Sequence, residues 1–281
     1  MPDLSSKRKA FTKRADFIYM APPFLAYYGA ATKNVTVLRA SVEQCLLYSD
    51  ILLTNSSNAS PAPKPPLTHP FDASGLWVHI IGPSTADPGI WSTGNAWAAA
   101  GMMRVLATLA KAPGDMFVNE PSASKQGQGD SLTHGWKKKA MEDIGATIRA
   151  ILDASILLQS KNSDKSGGLL RNYMDDPTWF GEISGSTLLA SVAYRLVSLK
   201  EYPLQHSTAA KYIKFAESIR LTLRHRKSGN HVTNNGTVTP AVNPLGWGDR
   251  QPWTAGSPEG QNFVVLMYAA WRDWVLGGKK V

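Results

Sequence analysis

Apolar residues recur along this chain at intervals of three and four, the period of a helix that buries one face. The pattern predicts seven helices, over residues 15–30, 36–54, 93–112, 138–160, 184–200, 206–227 and 257–275. No stretch shows the strict alternation of a half-buried strand. The helices are of two kinds. Segments 15–30, 93–112, 184–200 and 257–275 are rich in Ala, Gly, Met and aromatic residues nearly all round, as expected of helices enclosed on most sides. Segments 36–54, 138–160 and 206–227 carry a charged face, such as Lys211, Lys214, Glu217, Arg220 and Arg224 in the last of them. Inner and outer kinds alternate at a spacing of about 70 to 90 residues, the signature of helical hairpins stacked into a ring or solenoid.

The expected fold is therefore all-α, an (α/α) toroid of helical hairpins. Because the pattern opens on an inner helix, the ring is expected to be incomplete, with about seven of the twelve helices that six hairpins would supply. The expected organisation is a basic N-terminal tail over residues 1–14 and a single domain over 15–281. The Pro-rich stretch from Ser56 to Pro70 and the polar stretch from Pro113 to Gly135 read as loops.

Composition narrows the class. With 43% hydrophobic and 18% charged residues, wholesale disorder is excluded. A net charge of +9 favours an anionic partner, whether nucleic acid, acidic polysaccharide or membrane surface. Much of that charge sits in runs at Lys7–Arg14, Lys137–Lys139 and Lys279–Lys280, which read as solvated ends and loops, and no nucleic-acid-binding motif accompanies them. No apolar run approaches the roughly 18 residues of a membrane span, and the N-terminus lacks the apolar core of a secretory signal. The single cysteine, Cys45, excludes an internal disulfide and reads as a packed thiol. Sequons at Asn34, Asn55, Asn58 and Asn235 would suit a secreted protein.

If the inner helices run parallel, the residues at their starts converge on one cavity, and polar and aromatic residues cluster there. Asp16 sits among apolar neighbours in the run from Ala15 to Phe24. It reads either as a helix N-cap or as a general acid tuned by apolar surroundings. His79 ends the run Gly75–His79, and Trp91, Asn95 and Trp97 open the next inner helix. Asn95 could bond sugar hydroxyls and the tryptophans could stack on a ring, or all could serve a capped, buried helix start. His79 alone reads as structural at least as readily as functional, and no residues have metal-ligand spacing. Asp175 and Asp176 suit a turn, and Glu182 suits a helix cap. Ser257 followed by Pro258 is an N-cap with proline at the first helical position.

Taken together, the runs Ala15–Gly29, Gly75–His79, Trp91–Met102, Glu182–Ser186 and Ser257–Phe263 resemble, in order and spacing, the six-hairpin glycosidases of glycoside hydrolase families 88 and 105. These are the unsaturated glucuronyl and rhamnogalacturonyl hydrolases, and the likeness is greatest to the fungal type. The resemblance implies a toroid of helical hairpins whose inner helices line a pocket for an unsaturated uronic acid cut from pectin-type polysaccharides. The implied reaction hydrates the 4,5 double bond, with Asp16 protonating it and helping water to attack, and needs no metal or organic cofactor. Tyr19, His79, Trp91, Asn95, Trp97 and Glu182 stand as substrate-binding candidates. The implied partner is an anionic oligosaccharide, with no nucleic acid or membrane, and the implied location is extracellular. Alternatives are a six-hairpin hydrolase for another sugar and a non-catalytic carbohydrate-binding remnant.

Two departures stand out. Relatives carry an aromatic residue where this chain has Arg14, and an arginine, able to clamp a carboxylate bidentately, where it has Thr93. They also carry hairpins and a second active-site aspartate ahead of the Asp16 motif.

Overall fold

A computed structural model describes residues 12–54, 74–83, 85–117, 129–161, 167–224, 231–243 and 245–279. Its helices are α1 (Phe17–Met20), α2 (Pro22–Ala31), α3 (Val35–Leu52), α4 (Ser92–Lys111), α5 (Gly129–Lys161), α6 (Ile183–Ser198), α7 (His206–Arg224) and α8 (Pro258–Leu276), with a 3-10 turn at Gly114–Phe117. Every expected helical segment is present. The segment read as 15–30 is two helices, because Pro22 and Pro23 restart it at positions where a missing N–H costs nothing. α5 begins inside the stretch expected to be loop, at Gly129. The Pro-rich stretch and the sequons at Asn55 and Asn58 lie outside the described residues.

Helices α2, α4, α6 and α8 pack side by side in that order, while α3, α5 and α7 back onto α2, α4 and α6. Burial follows the residue pattern. In α7 the stripe Ala209, Tyr212, Ile213, Ala216, Ile219 and Leu223 is buried at helical spacing and the charged face is left to solvent. α6 is enclosed along almost its whole length, from Ile183 to Leu196. The core it joins includes the fully buried Trp77, Phe117, Tyr194 and Tyr212, each contributing about 1.5–3 kcal/mol or more by leaving water. Cys45 is buried in α3, and that burial pushes its thiol up to about 12.

Two features go beyond the sequence reading. Lys13 and Arg14, assigned to a basic tail, form β1, which pairs antiparallel with β2 (Ile80–Ile81) in the register Arg14 to Ile80. Such a short ribbon is too brief for an alternating pattern to register. The exposed sequon residue Asn34 is also the N-cap of α3, its side-chain oxygen accepting from Val37 N at 3.1 Å.

Candidate active site

The third residue of α4, α6 and α8 is in each case glycine, in the runs Ser92-Thr93-Gly94, Ile183-Ser184-Gly185 and Pro258-Glu259-Gly260. These glycines let the helix starts crowd together. A Cβ on Gly185 would lie 2.5 Å from Ser92 Oγ, one on Gly260 would lie 3.3 Å from Ser184 Oγ, and one on Gly94 would meet Ala15 Cβ at 3.5 Å. A Cβ on Gly101 would lie 2.1 Å from the carbonyl oxygen of Ile18, so the backbone of α1 rests directly on α4. The starts of α1, α4, α6 and α8 thus share one face, as the parallel inner-helix reading requires.

Asp16 heads α1 on this face, yet its side chain makes no capping hydrogen bond. Its Oδ1 instead accepts from Arg14 Nε at 3.3 Å, and the carboxylate keeps 27% of its surface accessible. The β ribbon delivers this pair: Arg14 lies across from Ile80, and Ala15 N donates to His79 O at 3.1 Å. The guanidinium of Arg14 also stands 5.1 Å from the centre of the Trp247 ring.

Behind Asp16 is a polar wall that sequence reading found only in part. His79 is fully buried, 4.4 Å from the Trp91 ring and edge-on to Trp247 at 5.3 Å. Its Nδ1 lies 2.9 Å from Asp87 Oδ2, and its Nε2 has no hydrogen-bond partner among the described residues. Asp87 Oδ2 also accepts from Trp247 Nε1 at 3.2 Å and from the Tyr173 hydroxyl, while Oδ1 accepts from Gly89 N at 3.0 Å. Burial alone would raise Asp87, but the hydrogen bonds from His79 and Tyr173 outweigh it and hold the carboxyl below the usual range. Burial and the same bond raise the Tyr173 phenol. With Asp87 ionised, Nδ1–H is the donor, which fixes the ring and turns Nε2 away from the carboxylate.

Several candidates act within the protein instead of at an open surface. Asn95, 1% exposed, accepts from Trp77 N at 2.8 Å and donates to Trp77 O at 2.9 Å and Trp91 O at 3.0 Å, so both amide hydrogens are committed to backbone and the group is closed to solvent. Glu182, fully buried, caps α6. It accepts from Ser184 N at 2.8 Å, Gly185 N at 2.7 Å, Thr93 Oγ1 at 3.2 Å and Val242 N at 3.3 Å. It ties α6 to α4 and to the segment at Val242 from a position closed to solvent. Trp91 is buried, with Nε1 donating to Asn172 Oδ1 at 2.8 Å, so it supports His79 and offers no open stacking face. The half-buried Trp247 and Trp97 fill that role better.

Trp97, Tyr19 and Phe263 meet edge to face, with ring centres 4.9 Å (Tyr19–Trp97), 5.8 Å (Trp97–Phe263) and 6.4 Å (Tyr19–Phe263) apart. Each lies one helical turn after Thr93, Asp16 and Glu259 respectively. Tyr19 bonds to Arg104 and lines a cavity of about 660 Å³ that runs away from the helix starts to the far ends of α4 and α6, at Lys111 and Ser198, and whose lining includes neither Asp16 nor Glu259. Glu259 was missed in sequence because the Ser257-Pro258 cap accounted for its neighbours. Burial, then the charges of Glu182 and Asp16, push its carboxyl up to about 7.

No family model matches the sequence, and no curated protein matches it. Solved structures do. The chain is similar to a structure described as a possible member of glycoside hydrolase family 105 from Salmonella enterica serovar Paratyphi A, with TM-score 0.63 and 18% identity over 94% of this chain and 57% of that one. The chain carries the six-hairpin glycosidase fold. A glycosyl hydrolase family 88 protein from Bacteroides vulgatus matches with TM-score 0.59 and 16% identity, over 92% of this chain and 62% of that one. A polysaccharide lyase matches with TM-score 0.62 and 19% identity, over 97% of this chain and 64% of that one. The chain thus spans less than two thirds of the length of each of these relatives. Among the described residues no helix is long and apolar enough to cross a membrane.

Proposed function

We propose that this chain is a glycoside hydrolase for unsaturated uronyl oligosaccharides derived from pectin-type polysaccharides, with Asp16 taking part in the proton transfers that hydrate the 4,5 double bond. The observation that carries the reading is Asp16 itself. It heads an inner helix without capping it, stays partly open to solvent, and lies next to Ala15, which bonds to His79, and one turn before Tyr19 of the aromatic trio. A capping role, the main competing explanation, finds no hydrogen bond to support it.

Arg14 supports an anionic substrate. Thr93, where relatives carry an arginine, turns its hydroxyl to the buried Glu182, whereas Arg14 keeps 39% of its side chain accessible beside Asp16 and Trp247. A guanidinium in that position suits a uronate carboxylate. Neighbours on this fold are described as glycoside hydrolases and a polysaccharide lyase, so substrates of this general class fit the scaffold. The exposed sequons at Asn34 and Asn235 agree with a secreted protein.

The test is loss of the ultraviolet absorbance of the conjugated double bond when an unsaturated uronyl disaccharide is mixed with the protein. Asp16→Asn should retain fold and sugar binding and lower turnover by at least about a hundredfold. Full turnover in that variant removes Asp16 from the chemistry. Binding of the sugar by wild type without turnover replaces the hydrolase reading with a carbohydrate-binding one.

A further inference from the structure

Position two of each inner helix repeats around the ring. It is Thr93 in α4, Ser184 in α6 and Glu259 in α8, each just before the glycine that contacts its neighbour. The Thr93 hydroxyl reaches across to the buried Glu182, so side chains at this position sit between neighbouring helix starts. Glu259 lies one turn before Phe263, and positions four apart share a helix face. Phe263 in turn packs on Tyr19 and Trp97, the residues one turn after Asp16 and Thr93. Glu259 therefore belongs to the same cluster of helix starts as Asp16, whose charge acts on it.

The two carboxyls differ in their company. Asp16 has a counter-ion in Arg14. Glu259 accepts no hydrogen bond from the described residues, is partly buried, and the charges acting on it are the carboxylates Glu182 of α6 and Asp16 of α1. Ser184, against Gly260, and Ser92, against Gly185, are fully buried with hydroxyl oxygens that bond to no described residue. Buried polar groups left unmatched by the protein are characteristically matched by a ligand or water.

We infer that Glu259 is a second catalytic carboxyl, which hands its proton to the sugar double bond while Asp16 takes one from the attacking water. The inference rests on the hydrolase reading above. In that step the π pair between C4 and C5 takes the Glu259 proton to form a C4–H bond, and a water oxygen bonds to the electron-poor C5. The water's proton passes to the Asp16 carboxylate, leaving a hemiketal that opens and releases the sugar. One water is consumed and no redox partner is required. Glu259 ends ionised and Asp16 protonated, and exchange with solvent resets both. An anion flanked by two others is the natural holder of a proton, and an ion-paired carboxylate the natural acceptor.

The experiment measures kcat/KM against pH for wild type, Glu259→Gln and Glu259→Asp on an unsaturated uronyl disaccharide, with circular dichroism and melting on each. Wild type should lose activity as pH rises past about 7, where Glu259 gives up its proton. Glu259→Gln should fall at least about a hundredfold with that alkaline limb abolished. Glu259→Asp, which keeps the acid but shortens its reach, should retain the limb at reduced kcat and answers the question if the Gln variant does not fold. A folded Gln variant with wild-type rate and limb overturns the proposal while leaving the hydrolase reading intact. Wild type without turnover on any unsaturated uronide overturns both.

Discussion

Replacing Glu259 by glutamine also has a consequence that can be read without substrate. In the folded chain this carboxyl ionises near 7, against the 4.5 of an ordinary glutamate, because burial and the neighbouring carboxylates oppose its charge. Between those two values the unfolded chain has released its proton and the folded chain has not. Stability therefore falls as pH rises through that window, is fully present below about 4.5 and stays reduced above about 7. At about 1.4 kcal/mol per pH unit the difference is roughly 3 kcal/mol as a ceiling, and partial contact with solvent brings the expectation down to about 1–2 kcal/mol. Glu259→Gln removes the ionisation while keeping the shape. The variant should match wild type near pH 4.5 and exceed it by about 1–2 kcal/mol at pH 8, a gain of several degrees in Tm for a chain of this size. Urea or thermal unfolding of both proteins across that range is the assay. Asp87 and Glu217, whose carboxyls are held low, titrate in both proteins and cancel in the difference. A stability difference that does not change with pH would show that Glu259 lacks the buried, anion-flanked setting argued for it.

Two other substitutions test the scaffold. Gly101→Ala forces a methyl to within 2.1 Å of the Ile18 carbonyl oxygen, a backbone atom that cannot swing aside, so a loss of about 3 kcal/mol or more is expected by denaturant unfolding. Wild-type stability would mean that α1 does not rest on α4 as described. Asn95→Ala removes three buried hydrogen bonds and strands the backbone N–H and C=O of Trp77, which should cost about 2–4 kcal/mol by the same measurement. An Asn95→Ala protein of unchanged stability but weakened sugar affinity would return Asn95 to the binding surface.

The residue pattern by itself determined the helices and their division into inner and outer kinds. α7 shows why: a charged face and a stripe of Ala, Tyr, Ile and Leu at helical spacing can be buried in only one way. The capping pair Ser257 and Pro258 likewise acts within a single turn, and the Ser257 hydroxyl accepts from Gly260 N at 3.3 Å. The convergence of inner-helix starts was legible because parallel hairpins in a ring leave their starts no other arrangement. What only the tertiary structure decided was which polar groups remain free at that face. Asn95 and Glu182 are the right residue types for binding sugar, but Trp77, Thr93 and Val242, brought in from elsewhere in the chain, take up their hydrogen bonds. Asp16, which could have capped its helix, is drawn instead to Arg14 by the β ribbon. Glu259 looked like part of a helix start until packing set it against Glu182 and Asp16. Helix formation and one-sided burial depend on residues three and four apart, which a sequence records. The protonation and availability of a side chain depend on charges and donors scores of residues away, which meet only when the ring assembles.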